Sequence, residues 1–516
     1  MTLTSAKGIE LMFRTVRLFS TKRMAAAPAK PLIAIVGATG TGKSELAVEI
    51  AKKYNGEIIN GDAMQLYQGL PIITNKITTD ERKGLPHHLL GCIGLEEESW
   101  TVSKFVKEAV QTIEDIHGRG KLPILVGGTH YYTQSLLFKD AILEKQETEY
   151  IDSSNHSFAI LDEPTEVILE KLKEVDPVMA DRWHPNERRK IQRSLEIYLK
   201  SGKPASQMYD ERRLKRELSP NSGEAQEHTT GFRFPTLVLW VHADRGALNA
   251  RLESRVDKMI ERGLLDEVKT LSEFKVLHES RAKATIDQSR GIWVSIGYKE
   301  FLDYQAALND PSITAKEREG LKSIAIERTQ AATRQYAKRQ IRWIQIKLLN
   351  ALIGVDQQKN TFLMDGSDVA KWDETVAQPA LGITEDFLTG KPLPNPAELS
   401  QAAREMLTPR RNYDLSQRPD LWQKRTCEAC GTVLVNENDW NLHIKSRTHR
   451  RATSAKKKLE SGSTDAKRKE KSEQEDMIDV LTSSFDPFDE PVVGEKAEEI
   501  SKEQPHSPGS KHYEDH

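Results

Sequence analysis

A short apolar run at 31–36, PLIAIV, leads straight into GATGTGKS at 37–44, and the helical pattern ELAVEIAKKY follows at once. The eight residues fit G-x-x-x-x-G-K-[ST], and a strand before with a helix after is the context this motif requires. Gly37, Thr39, Gly40, Thr41 and Gly42 then form a loop whose backbone N–H groups turn inward around phosphate oxygens, with the positive end of a helix behind them. Lys43 adds a point charge, and Ser44 a hydroxyl ligand for Mg²⁺. The motif specifies a di- or triphosphate without specifying a nucleotide.

Such a loop belongs in an α/β fold with a parallel sheet, and the pattern continues that way. GEIIN (56–60), HLLGCIGL (88–95) and KLPILV (121–126) read as further strands, and TVSKFVKEAVQTIEDIHGRG as a helix between the last two. A phosphoryl-transferring enzyme would want a strand ending in a metal-binding aspartate. The strand ending at Val126 runs instead into Gly127-Gly128-Thr129. The strand at 56–60 does end beside an acid, Asp62, which lies near the phosphate loop in such folds. From the residues alone Asp62 is a metal ligand, a general base, or a plain loop or cap residue.

From about 140 to 233 charged helical segments dominate, including PTEVILEKLKEVD and NERRKIQRSLEIYLKSG. The α/β pattern resumes at PTLVLWVHAD (235–244), and helices continue to about 350. The expected organisation is a leader at 1–30, a P-loop core at 31–139 and 234–350, a helical insertion at 140–233, a Pro-rich linker at 351–420, a small Cys/His unit at 421–455 and a disordered charged tail at 456–516. No run approaches the ~20 apolar residues of a membrane helix. Three cysteines cannot build a disulfide framework, which points to a reducing compartment. Cys92 reads as a small buried hydrophobe in a strand.

The formal net charge of −2 hides segregation that bears on partners. Residues 424–458 carry nine Lys/Arg against three Asp/Glu, whereas 473–516 carry three against thirteen. The basic block surrounds Cys427-x2-Cys430-x12-His443-x5-His449, a specific signature for a closed, structural Zn²⁺ site, with Trp440 and Leu442 as its small apolar core. Its histidine spacing resembles matrin-type, RNA-associated fingers. Arg334, Lys338 and Arg342 stand at i,i+4 spacing and make one helix face cationic, toward diphosphate or RNA backbone or simply toward solvent. Arg189, Lys190 and Arg193 likewise share a face. The leader is basic and nearly acid-free, as mitochondrial presequences and plain basic tails both are.

Taken together, GATGTGKS, EIINGDAMQLYQGLPIITNKIT, LPHHLLG, ILVGGTHYY, DPVMADRWHPNERRKIQRSLEIYLKSGKPAS, VSIGYKEF and ATRQYAKRQIRWI resemble the tRNA dimethylallyltransferase family over about 31–350, and the finger resembles its eukaryotic branch. The resemblance implies transfer of a dimethylallyl group from dimethylallyl diphosphate to N6 of adenine 37 in the tRNA anticodon stem-loop. The loop would hold diphosphate, with Mg²⁺ on Ser44 and Arg334 as a further cation. Asp62 would be the general base, and Thr129 would contact the reacting adenine. Ala63, Met64, Gln65 and Tyr67 would contact tRNA beside Asp62. Arg189, Lys190, Gln192 and Arg193 would contact it from the insertion, and Lys338 and Arg342 from the basic helix. The expected partner is tRNA, with no membrane, and the expected state is a monomer in mitochondrion and cytoplasm, with the nucleus a further address. Rival readings are an adenylate isopentenyltransferase acting on free nucleotides, an ATP-dependent RNA-binding kinase, and a non-catalytic zinc-finger RNA-binding protein.

Overall fold

The computed structural model describes residues 26–139, 158–218, 231–282, 285–288, 290–409 and 422–460. The leader and the tail beyond 460, both read from sequence, therefore lie outside the described residues except at their inner edges. The described chain forms two compact units. One comprises 1–153 with 216–417, the other 154–215 with 418–516.

The first unit begins β1 (Leu32–Val36), α1 (Lys43–Lys53), β2 (Gly56–Asn60), β3 (His87–His88), α2 (Val102–Gly118), β4 (Leu122–Val126) and α3 (His130–Leu137). The second contributes α4 (Thr165–Val175), α5 (Pro177–Arg182), α6 (Arg188–Ser201) and α7 (Ala205–Leu218). The first then resumes with β5 (Thr236–His242), α8 (Arg245–Glu261), α9 (Leu264–Ala282), α10 (Leu302–Leu308), α11 (Ala315–Trp343), α12 (Leu349–Ile353), β6 (Thr361–Asp365), α13 (Gln378–Thr389) and α14 (Gln401–Met406). Finally β7 (Trp422–Thr426), β8 (Val433–Asn436), α15 (Glu437–Lys445) and α16 (Arg447–Glu460) return to the second.

Six strands form one sheet in the order β3-β2-β4-β1-β5-β6, and every pairing is parallel. Parallel strands are covered on both faces, which explains their unbroken apolar runs. Alternate residues of β1 serve opposite faces. Ala34 and Val36 join Leu125, Trp240 and α2 residues such as Phe105 and Ile113, while Ile33 and Ile35 join Ile124, Leu239, Phe362 and α1 residues Leu46 and Ile50.

The stretch read as a linker, 351–420, is corrected here. Its TFLMD segment is β6, paired with β5 from Val238↔Thr361 to His242↔Asp365. Its α13 places Ala380, Ile383 and Phe387 in the core beneath the sheet. Pro379 sits where a π-helical turn, Asp373–Ala377, passes into α13. The strand expected over 88–95 is also smaller than its apolar run suggests. It shrinks to His87–His88 because Leu89 and Gly91 adopt positive φ and break the extended backbone. Cys92 follows that break and is exposed, not buried.

Beneath the β2–β3 edge, buried Glu57 meets His88 at 2.6 Å, Arg119 at 2.5 Å and Lys121 at 2.7 Å. Burial alone would raise its pKa, but these three donors hold it down at about 2.

In the second unit Ile168, Leu172, Met179, Ile191, Leu195 and Ile197 form a separate apolar core. The finger shares this unit with α4–α7. Lys424 Nζ donates to the Ala180 carbonyl at 3.1 Å, and the Arg182 guanidinium stacks on Trp183 (4.3 Å) and Trp422 (4.4 Å). Leu434 is the finger's buried apolar residue, where Trp440 and Leu442 were expected; both of those are only partly buried.

Candidate active site

The phosphate loop needs its glycines for two distinct reasons. Gly40 and Gly42 have left-handed φ of 85° and 92°. A Cβ on Gly37 would stand 2.3 Å from the Val241 carbonyl oxygen, and one on Gly42 would meet the Trp372 ring at 2.4 Å. The wall behind the loop is thus made by β5 and by the segment after β6. Thr41 is buried and donates to Ala38 O at 2.9 Å. Lys43 opens α1, and its Nζ donates to the same carbonyl at 2.6 Å. Burial of the ammonium lowers its pKa to about 8, with Asp62 acting to raise it and Arg255 to lower it further. Ser44, next on α1, is exposed.

Asp62 lies just past β2. Its backbone N–H donates to Asn60 Oδ1 at 3.0 Å, and Asn60 Nδ2 donates back to Asp62 O at 3.0 Å, which fixes the turn. The carboxylate accepts from Met64 N at 3.0 Å. Burial pushes its pKa above the ordinary carboxylate value, against the Met64 bond and the charge of Lys43. Thr129 follows β4 at the N-terminus of α3. Its hydroxyl does not cap that helix; it accepts from Ala63 N at 2.9 Å and so ties the ends of β2 and β4 together.

Four groups at this site carried no role in the sequence reading. Arg255, partly buried on α8, donates to Thr39 Oγ1 at 3.0 Å. Gln340, buried on α11, accepts from Thr39 N at 2.7 Å and donates to Gly128 O at 2.8 Å. Tyr336, one turn earlier, is partly buried, and burial followed by the Asp62 charge raises its pKa. His130, beside Thr129, is buried with no partner on either ring nitrogen; burial and then Lys43 lower its pKa to about 3. The sequence offered one signal for Gln340 and Tyr336, their place inside ATRQYAKRQIRWI, and none for Arg255 beyond its helix.

The remaining expected residues divide. Arg334 forms an ion pair with Glu253 at 2.8 Å, and the cation bonded to the loop is Arg255. Tyr67 is a core residue whose hydroxyl meets Ser99 at 3.0 Å, and Gln65 bonds Asn75 O at 3.1 Å. Ala63 and Met64 are partly buried beside Asp62, and Lys338 is exposed on α11 with Arg342 partly so. On α6, Arg189 is exposed, Lys190 pairs with Glu187 and Arg193 with Glu196, while Gln192 Nε2 donates to Leu161 O at 2.6 Å.

In the second unit Cys427, Cys430, His443 and His449 bring one ligand atom each to within 4.8 Å of all the others. His443 Nε2 and His449 Nδ1 are 3.1 Å apart, and each also faces a thiol at 3.3–3.5 Å. Metal bonds of ~2.0–2.3 Å in tetrahedral array require edges of about this length. The four residues fit a zinc finger.

The parallel sheet, the phosphate loop and the carboxylate at the end of β2 define a P-loop α/β transferase site, with a Cys2His2 finger in the accompanying unit. The IPP transferase family model matches residues 65–347, and the chain belongs to that family. It is 36% identical to the tRNA dimethylallyltransferase of Saccharomyces cerevisiae, over 82% of this chain and 91% of that one. The human tRNA dimethylallyltransferase is 33% identical, over 84% and 87%. A solved eukaryotic dimethylallyltransferase, captured acting on tRNA, superposes with a TM-score of 0.66 at 35% identity, covering 84% of this chain and 98% of that chain.

Proposed function

We propose that this protein transfers the dimethylallyl group of dimethylallyl diphosphate to N6 of adenine 37 in tRNA. The observation that carries the reading is the joining of a phosphate loop to a buried carboxylate end: Gln340 bonds Thr39 on one side and Gly128, beside Thr129, on the other. The adenine amine is a weak nucleophile because its lone pair is delocalised. Its nitrogen attacks the allylic C1, the C1–O bond breaks, and diphosphate leaves with the bonding pair. Asp62 takes the N6 proton, and its raised pKa suits it to hold that proton. On this reading Thr129, whose hydroxyl accepts from Ala63 N beside Asp62, orients the base. Lys43, Arg255 and the loop amides meet the charge developing on the leaving group. Ser44, exposed at the start of α1, would hold Mg²⁺, which would neutralise part of the diphosphate charge. Incubating tRNA with dimethylallyl diphosphate and Mg²⁺ should add C5H8 to adenosine 37, read by mass spectrometry. Unmodified tRNA would end the proposal, and modification of free AMP, ADP or ATP alone would favour the adenylate enzyme.

The cationic faces of α6 and α11 and the basic finger suit the anticodon stem-loop backbone, and one chain carries every group the chemistry uses, so a monomer suffices. Zinc is the metal that the two thiols and two imidazoles select. Because the finger and α4–α7 share contacts through Lys424 and Arg182, Cys427→Ala should loosen α5 as well as the finger. The expected result is weaker tRNA binding with a salt slope flatter by about 0.7–0.9 per lost phosphate contact, and a nearly unchanged rate at saturating tRNA. A large fall in saturated rate at unchanged affinity would place the finger in catalysis.

For location we propose that residues 1–23 direct part of the protein to mitochondria, the rest remaining in cytoplasm and nucleus. The motive is the basic, acid-poor MFRTVRLFSTKR segment. Fluorescent fusions starting at Met1 and at Met24 should differ in mitochondrial fraction, and matching distributions would remove the leader's role.

A further inference from the structure

We infer that Gln340 is a positioning residue that holds the diphosphate loop and the adenine-side strand end in one register. The inference rests on the prenyl-transfer reading above and adds one residue to it.

The orientation of the Gln340 amide is fixed by its partners. Thr39 N–H can only donate and Gly128 C=O can only accept, so Oε1 faces the loop and Nε2 faces β4's end. The side chain is 4% exposed, and both of its backbone partners belong to loops that the sheet hydrogen bonds do not otherwise join there. Gly128 is the point of closest approach. A Cβ there would stand 2.5 Å from Gln340 Nε2 and 3.1 Å from Asp62 Oδ2, so bridge, base and strand end converge on one glycine. Hydrogen bonds therefore run from Arg255 to Thr39 and through Gln340 to Gly128 O, next to Thr129, whose hydroxyl accepts from Ala63 N beside Asp62.

The chemistry needs this register. Diphosphate bound in the loop fixes C1, and the acceptor end fixes N6. In-line attack tolerates little error in their separation, and misplacement by ~1 Å costs about 10²-fold in rate. Gln340 bonds both ends and is placed on neither reacting group, so its effect falls on the step that needs both substrates.

The test uses the full chain and the variants Gln340→Leu and Gln340→Met. Affinities for inorganic pyrophosphate and for an anticodon stem-loop RNA are measured separately, then the single-turnover rate with dimethylallyl diphosphate and tRNA both saturating. Gln340→Leu should keep each affinity within about threefold while the rate falls about 10- to 10²-fold. Gln340→Met keeps the length of the side chain and adds no charge but offers neither the acceptor for Thr39 N nor the donor for Gly128 O, so it should bind pyrophosphate normally and still lose rate. If Gln340→Leu does not fold, Gln340→Met carries the test. An unchanged saturated rate overturns the inference. So does a loss of pyrophosphate affinity as large as the loss of rate, which would make Gln340 a loop support only. Wild-type protein that leaves tRNA unmodified sinks the reaction assignment instead, whereas an active wild type with equally active variants sinks this inference alone.

Discussion

Asp62→Ala should lower the single-turnover rate of prenyl transfer by about 10²–10⁴-fold while leaving tRNA affinity within about threefold. The carboxylate is held by Met64 N and by the Asn60 turn, so it is oriented before substrate arrives. Removing it leaves the loop, Thr129 and the cations of α6 and α11 in place, and the loss therefore belongs to chemistry and not to binding. Asp62→Asn separates the roles further. It keeps an oriented polar group at the position but cannot accept the proton, and it should be nearly as slow as Asp62→Ala. A variant that alkylates tRNA at close to the normal rate would remove Asp62 from the mechanism. Burial raises the Asp62 pKa, so the wild-type rate should fall on the acid side at a higher pH than an exposed aspartate would give.

Lys43→Ala should reduce kcat/KM for dimethylallyl diphosphate by about 10²–10³-fold, comparable to losing one preorganised donor to a developing anion. No nucleotide should be needed by the wild type; product that depends strictly on ATP would support the kinase reading. The lysine also sets an alkaline limit. Its pKa in the free protein is lowered to about 8, so its charge, and with it kcat/KM for the diphosphate, should decline as pH rises past that value. A bound diphosphate favours the ammonium, so the limb of kcat should lie higher than the limb of kcat/KM. Coincident limbs in both profiles would show that Lys43 does not face the diphosphate.

The parts of this site that were legible in sequence are those written as contiguous motifs. GATGTGKS fixes the loop within eight residues, GDAMQLY places Asp62 at the end of β2, and the Cys/His spacing specifies the four-residue cluster. Arg255 and Gln340 reach Thr39 across 216 and 301 residues of chain, from helices whose patterns read as ordinary amphipathic surface. Only the packing of α8 and α11 beside the loop assigns them. Arg334 is the opposite case. Its i,i+4 spacing marked a cationic face, but spacing does not reveal that Glu253 on α8 answers it. β6 was missed because three apolar residues between Thr361 and Asp365 fit a strand or a buried turn equally well, and Pro379 and its neighbours drew attention to the linker reading.

The late return of β6 and α13 matters for how the protein comes into being. Everything recognisable about the phosphate loop has left the ribosome once Ser44 emerges, yet the sheet edge beside β5, and the Trp372 ring packed on Gly42, are supplied only after residue 360. α4–α7 likewise emerge long before β7 and α15, their companions in the same unit. Both units are therefore closed by chain synthesised last, and contacts that distant in sequence form slowly. A message truncated anywhere between 350 and 360 would encode every motif of the P-loop core and still yield a nascent chain with β5 left as an open sheet edge, a substrate for chaperones and proteases.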